Sequence, residues 1–151
     1  MATEIEYKFR VNGDVPELGG GRTLEQWYIG LSPVVRVRIV EGTKAYLTIK
    51  GKGMVSRAEF EYEVPVADAE GMRALAKSNV VSKTRYRVVV GAHTWEVDQF
   101  HGVLEGLWLA EIELGSEDEE FEMPGWAGEN VSRDMRYTNA DLSEHGMPVD
   151  V

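Results

Sequence analysis

The chain contains no cysteine, so a disulfide framework, a thiolate metal site and a cysteine nucleophile are all excluded. Proline is scarce, with five in 151 residues, and no proline-rich linker is present. No run of 18 or more apolar residues occurs and the opening is not basic-then-apolar, so neither a membrane span nor a signal peptide is expected and the cytoplasm is the default location. Cations are the minority: 16 Lys+Arg stand against 26 Asp+Glu, for a net charge of −10, which argues against nonspecific binding to nucleic acid or to an anionic membrane surface. P-loop, GxGxxG and HExxH patterns are absent. The length suits a single domain over 1–151 that buries its core without staples.

What is present is alternation. Most of the chain reads with period two in short stretches separated by Gly, Pro, Asn or Ser, the signature of strands and turns. Eight strands are expected, near 3–11, 22–30, 33–41, 43–51, 55–64, 82–91, 93–100 and 107–115. Ala69, Met72 and Leu75 at helical spacing predict a crossover helix over 67–78. Ser116 and Glu119 suggest a capping box opening a short acidic turn that ends at Met123, before Pro124. A last helix is expected to begin near Thr138 or Asn139, and Gly19-Gly20-Gly21 marks a surface loop.

The polar members of these strands are nearly all ionisable, where an ordinary half-buried sheet would mix Thr, Ser, Lys and Gln. The first strand alternates Glu4, Glu6 and Lys8 with Ile5, Tyr7 and Phe9, and the third sets Arg36 and Arg38 between valines. Lys50 and Lys52 follow in the fourth, and Arg57, Glu59, Glu61 and Glu63 in the fifth. Lys83, Arg85 and Arg87 mark the sixth, Glu96 and Asp98 the seventh, Glu111 and Glu113 the eighth. These nine cations and nine carboxylates cancel, so the rest of the chain carries the whole −10. Cross-strand ion pairing on an outer face is the plain explanation, strand by strand. Yet the like-charge neighbours Arg36/Arg38, Arg85/Arg87 and Glu111/Glu113 repel, and a polyvalent anion with its metal ions would relieve that repulsion. The expected fold is therefore mainly β (α+β): a closed eight-stranded antiparallel β-barrel, apolar face outward and charged face around a wet bore, with a few flanking helices.

Such a bore suits phosphoryl transfer, which needs cations on phosphate oxygens, a divalent metal on a few carboxylates and a positioned water. Glu4, Glu6, Glu111 and Glu113 suffice for Mg2+ or Mn2+, and Glu59, Glu61 and Asp98 extend the candidate ligand set. Arg36, Arg38, Arg57, Arg85 and Arg87 offer forked grips on phosphate, while Lys8, Lys50, Lys52 and Lys83 act as point charges. Lys8 and Lys83 are both candidates for proton transfer. Tyr28 either hydrogen-bonds phosphate or water, or packs in the wall; Asp98 either steers a metal-bound water or pairs with arginines. His93, His101 and His145 have no ligand or triad spacing, and Trp95, Trp108 and Trp126 read as outer-wall packing.

Glu4-Ile5-Glu6-Tyr7-Lys8 resembles the E-x-E-x-K signature of the CYTH superfamily. The resemblance continues in order through Gln26-Trp27-Tyr28-Ile29, Arg36-Val37-Arg38, Leu47-Thr48-Ile49-Lys50-Gly51, Arg57-Ala58-Glu59-Phe60-Glu61 and Lys83-Thr84-Arg85-Tyr86. It extends to Trp95-Glu96-Val97-Asp98, Gly106-Leu107 with Ala110-Glu111-Ile112-Glu113-Leu114, and Asn130-Val131-Ser132 with Arg136-Tyr137-Thr138-Asn139, nearly the whole chain. It implies an eight-stranded triphosphate tunnel with divalent metal on Glu4, Glu6, Glu111 and Glu113 and triphosphate on the basic residues. It is nearest the short bacterial type of metal-dependent inorganic triphosphatase. Tyr7 stands where members often carry Arg, and Asn130 where they often carry an acid. The alternatives are hydrolysis of thiamine triphosphate or a nucleoside triphosphate, class IV adenylate cyclase activity, or a noncatalytic module that binds polyphosphate or nucleotide. The expected partner is a small triphosphate-bearing anion, and a homodimer through the apolar outer wall is possible.

Overall fold

Nine antiparallel strands form one sheet that closes on itself in the computed structural model, which describes residues 2–15 and 18–148. They are β1 Ala2–Val11, β2 Arg22–Leu31, β3 Val34–Val40, β4 Lys44–Lys50, β5 Ser56–Val64, β6 Val81–Val90, β7 His93–Phe100, β8 Trp108–Glu113 and β9 Ala127–Asn130. The order β5-β4-β3-β2-β6-β7-β8-β1 returns to β5 through the β1–β5 pairing, giving a closed barrel of eight. All eight expected strands are present, with ends shifted by no more than two residues.

The closure is shared along one edge of β1. Ala2–Ile5 pair with Ser56–Glu59 of β5, and further along Phe9 and Val11 face Asn130 and Ala127 of β9. Strand β9 was not expected. It has four residues, includes Gly128 and carries no alternating apolar pattern to announce it.

The apolar alternates point outward, as a bore lined with charge requires, and each stretch of outer wall needs a cover. Over β1, β7 and β8 the cover is the 115–127 segment. It sets Phe121 and Trp126 against the fully buried Trp95, with ring centroids 5.8 and 5.4 Å away. Over β2, β3 and β4 it is α1, Val66–Met72, whose Ala69 and Met72 pack on Trp27, Val37 and Ile39. Trp27 donates its indole N–H to the Met72 carbonyl at 3.2 Å, and Arg73 lies 4.5 Å from its ring centroid.

Two local expectations differ. The helix ends at Met72 in a single 3-10 turn, Arg73–Leu75, and Leu75 is 60% exposed, so only two of the three apolar positions are used. Gly71 in the last turn weakens continuation. At Ser116 the reciprocal box does not form: Glu119 reaches back to the Gly115 N–H at 2.7 Å, while the Ser116 hydroxyl donates to Asp118 at 2.8 Å.

The last cover lies at one end of the barrel. Helix α2, Asn139–His145, begins where expected, with the Thr138 hydroxyl accepting the Asp141 N–H at 3.1 Å as its N-cap. Its Leu142 joins Tyr137 and Val131 over Val81, Phe100 and Leu109. An apolar plug thus fills part of the bore at this end. No helix among the described residues is long and apolar enough to cross a membrane.

Candidate active site

Alternation decides which side chains enter the bore, and register decides how they are grouped around it. Strands β4, β3, β2 and β6 are consecutive in the barrel. Their inward positions supply Lys44, Lys50, Arg36, Arg38, Arg22, Lys83, Arg85 and Arg87 with neutral Tyr46, Thr48, Gln26 and Tyr28, and no carboxylate. The other four strands, β7, β8, β1 and β5, supply Glu96, Asp98, Glu111, Glu113, Glu4, Glu6, Glu59, Glu61 and Glu63, with Lys8, Arg10 and Arg57 as cations among them. The bore has an acidic arc facing a basic arc.

Between them lies a cavity of about 250 Å³, smaller than the 300–1,000 Å³ usual for organic ligands and lined mostly by charge. On its acidic side Glu4 meets Lys50 Nζ at 2.8 Å. Burial would raise the Glu4 carboxyl, but Lys50 and its other partners prevail and bring it to about 2. Glu6 goes the other way: withdrawal from bulk water and the facing Glu111 charge hold it well above the usual carboxylate range. Burial followed by the Glu4 contact pushes Glu59 up to about 7, and Glu113 is raised by burial and by Glu4 and Glu96. Crowding among these carboxylates thus favours their protonated forms, and a bound cation would favour the charged ones.

On the basic side the arginines are oriented by neutral groups. Arg38 Nε donates to Gln26 Oε1 at 2.8 Å, and Gln26 in turn donates to the Tyr28 hydroxyl at 3.4 Å. Arg36 donates to Thr48 at 3.3 Å, leaving its Nε buried with no hydrogen-bond partner among the described residues. Behind this face, Asp98 accepts both a 2.8 Å bond from Lys83 and a forked pair from Arg85 at 2.8 and 2.9 Å. Lys83 and Asp98 are both fully buried. Burial lowers Lys83 to about 7 against the pull of Asp98, with Arg85 and Arg38 adding to the fall. Asp98 itself stays below its ordinary value, because Arg85 and Lys83 outweigh the burial cost.

A CYTH domain model matches residues 2–147. The chain belongs to the CYTH family. Among its relatives, the inorganic triphosphatase of Acetivibrio thermocellus is 44% identical over 146 residues, covering 94% of each chain. The inorganic triphosphatase of Nitrosomonas europaea is 35% identical over 151 residues, covering 93% of this chain and 97% of that protein. A crystal structure of an inorganic triphosphatase superposes with a TM-score of 0.69 at 32% identity, covering 95% of both chains.

Within this CYTH barrel most of the expected site residues line the one central cavity. Glu4, Glu6, Glu111 and Glu113 do so from the acidic arc, together with Glu59, Glu61, Lys8 and Arg57; Tyr28, Arg36, Arg38, Lys50 and Arg85 do so from the basic arc. Four others sit elsewhere. Lys83 and Asp98 are enclosed behind the lining, Lys52 is exposed beside the tail, and Arg87 is exposed at the opposite mouth. Glu61 accepts from Thr48 at 2.9 Å and lies 3.5 Å from Arg36, and Glu59 lies 3.4 Å from Lys50, so both also serve the basic arc.

The sequence reading missed the tail's part in the site. Lys8 Nζ donates to the Tyr137 carbonyl at 2.9 Å, Lys83 donates to Asn139 Oδ1 at 3.3 Å, and the Ser132 hydroxyl accepts the Lys8 N–H at 2.8 Å. The available signals were the Asn130-Val131-Ser132 and Arg136-Tyr137-Thr138-Asn139 motifs, to which no site role was given. Thr48, which links Arg36 to Glu61, stood in the fourth-strand motif with no role given to it.

The donor set on the acidic arc is all oxygen, which suits a hard divalent cation. Among the described residues no three His, Asp or Glu side chains already converge in ligand geometry. That fits an ion that keeps several waters and takes its remaining ligands from phosphate.

Proposed function

We propose that this CYTH chain is an inorganic triphosphatase that cleaves a phosphoanhydride of triphosphate in the bore, transferring phosphoryl to water and leaving pyrophosphate and orthophosphate. The observation that carries the reading is the facing of a carboxylate-free basic arc by an acidic one across a small polar cavity. Phosphoryl transfer demands both: positive charge on the nonbridging oxygens and carboxylates for a divalent ion. The two relatives named inorganic triphosphatase support the same conclusion.

In this mechanism Arg36, Arg38 and Arg85 grip the nonbridging oxygens, the unpartnered Arg36 Nε giving a donor ready for one of them. Gln26 and Asp98 hold the Arg38 and Arg85 guanidinium planes, so little ordering is left to be done on binding. Tyr28 accepts from Gln26 and so has its own proton free for a phosphate oxygen. Mg2+ or Mn2+ held by Glu4, Glu6, Glu111 and Glu113 would neutralise phosphoryl charge and acidify the attacking water. Lys8 reaches the cavity and is steered by the Tyr137 carbonyl, which makes it, rather than Lys83, the proton-transfer candidate able to touch water or substrate. Lys83, enclosed with Asp98, positions Arg85 through that shared carboxylate.

Incubation with triphosphate and either Mg2+ or Mn2+ should release orthophosphate, and no release with either ion would end the reading. One observation favours a second substrate class. A groove of about 360 Å³ beside Lys50 and Arg57 is walled by Leu31, Pro33, Val34, Met54, Met135 and Ala140. It suits an organic group attached to a triphosphate. A panel adding ATP and thiamine triphosphate, in which either outranks triphosphate, would reverse the order of the two readings.

A further inference from the structure

The two ends of the bore carry different charge. Next to the tail, Lys52 and Arg57 share the lining with Asp141 and Glu144, and the third cation there, Lys50, is paired with Glu4 at 2.8 Å. At the opposite end the bore widens into a cavity of about 680 Å³, which shares Arg38, Glu61, Arg85 and Glu96 with the central one. Its outer rim is made by Arg22, Lys44 and Arg87, with Gly20 forming part of one lip. All three cations are exposed, and among the described residues none makes an ion pair. The register places Arg22 directly opposite Arg85 on β6, where cross-strand Cβ atoms stand about 4.5–5.5 Å apart and like charges destabilise.

Three acids line this rim, and Glu63 stands beside it, opposite Tyr46. Glu41 accepts the Thr23 N–H at 2.8 Å, Glu61 is held by Thr48 and Arg36, and Glu96 lies 3.3 Å from Arg85. Five cations, Arg22, Arg38, Lys44, Arg85 and Arg87, thus outnumber the acids Glu41, Glu61, Glu63 and Glu96, so this mouth is net positive in a protein whose net charge is −10. We propose that this mouth is a capture site for condensed inorganic phosphate, in which Arg22, Lys44 and Arg87 draw the polyanion in and pass it to Arg38 and Arg85. Substrate then enters by the end remote from the tail. The inference rests on the triphosphatase reading and adds to it the route and the residues of entry.

Arg22→Gln, Lys44→Gln and the double variant test it, with Lys77→Gln, which removes one charge from the α1 side, as the control for each single variant. Capture predicts that the double variant loses about 10-fold in kcat/KM for triphosphate at low ionic strength, through KM, with kcat within about twofold. The loss should shrink toward nothing near 1 M salt, where charges are screened beyond about 3 Å. An unchanged KM, a fall in kcat alone, or an equal effect from Lys77→Gln would each overturn the inference. Should the wild type release no orthophosphate, the triphosphatase reading fails by itself. Calorimetric binding of triphosphate then decides capture, with weaker binding by the double variant supporting it and equal binding refuting it.

Discussion

The two arcs of the bore are built from the same kind of strand and behave oppositely. On the basic arc, repulsion is managed within the protein: Gln26 holds Arg38, Thr48 holds Arg36, and Asp98 reaches across to grip Lys83 and Arg85. On the acidic arc, Glu6, Glu59 and Glu113 are crowded by Glu4, Glu96 and Glu111 with Lys50 as the shared cation, and burial with that crowding raises their carboxyls. The basic arc is thus pre-organised for an anion, while the acidic arc is left with a charge problem that only a cation solves. If this contrast is real, substitutions on the two sides must fail in different ways.

The largest effect is expected on the acidic side. Glu111 combines a carboxyl held well below its ordinary value, despite burial, by Lys8, Glu6 and Arg85 with a place on the cavity wall. Glu111→Gln keeps the shape and removes the charge. It should lower kcat by about 100-fold or more, leave triphosphate binding within a few-fold, and recover in part at raised Mg2+ or Mn2+. Steady-state kinetics across a metal titration reads this directly, and loss of binding with no metal response would place Glu111 on the anion side.

Arg38→Ala comes next and should look different. It removes a fork that touches ground state and transition state alike, so kcat and KM should both suffer, for a loss of about 10- to 100-fold in kcat/KM that extra metal does not repair. Arg38→Lys should recover little, because a point charge cannot replace the Gln26-oriented plane. Rescue of Arg38→Ala by metal would erase the distinction between the arcs.

How much of this was legible follows from what period two can report. Alternation assigns each side chain to a face, so Glu4, Glu6, Arg36, Arg38, Glu111 and Glu113 were recognisable as one inward set before any coordinates. It carries nothing about azimuth, since the angular position of a strand depends on which strands it pairs with. The β2–β6 pairing, which joins Arg22 to Arg85 and completes the basic arc, links residues 55 to 63 positions apart and leaves no local trace. Depth was hidden for a related reason: Lys83 and Asp98 alternate like their neighbours, yet the tail and Phe100 seal them in. Strand β9 and the tail's carbonyl and amide contacts to Lys8 and Lys83 involve main chain and short side chains, which no hydrophobic pattern encodes.

The smallest effect is the most direct probe of charge frustration. Glu59 lies 3.4 Å from Lys50, which is itself closer to Glu4, and burial and Glu4 push its carboxyl up to about 7 from an ordinary value of 4.5. Between those two values the folded protein holds the proton that the unfolded chain has lost, so raising the pH drains stability. The contribution is complete below 4.5 and gone above 7. Glu59→Gln keeps the neutral form at every pH. It should therefore be more stable than the wild type at pH 8, by about 1 kcal/mol or about 2–4 °C in Tm, and indistinguishable near pH 4.5. Metal-free thermal melts at the two pH values test this. A variant less stable than the wild type at pH 8 would mean that the Lys50 pairing outweighs the Glu4 repulsion, and the acidic arc would then be as well satisfied as the basic one.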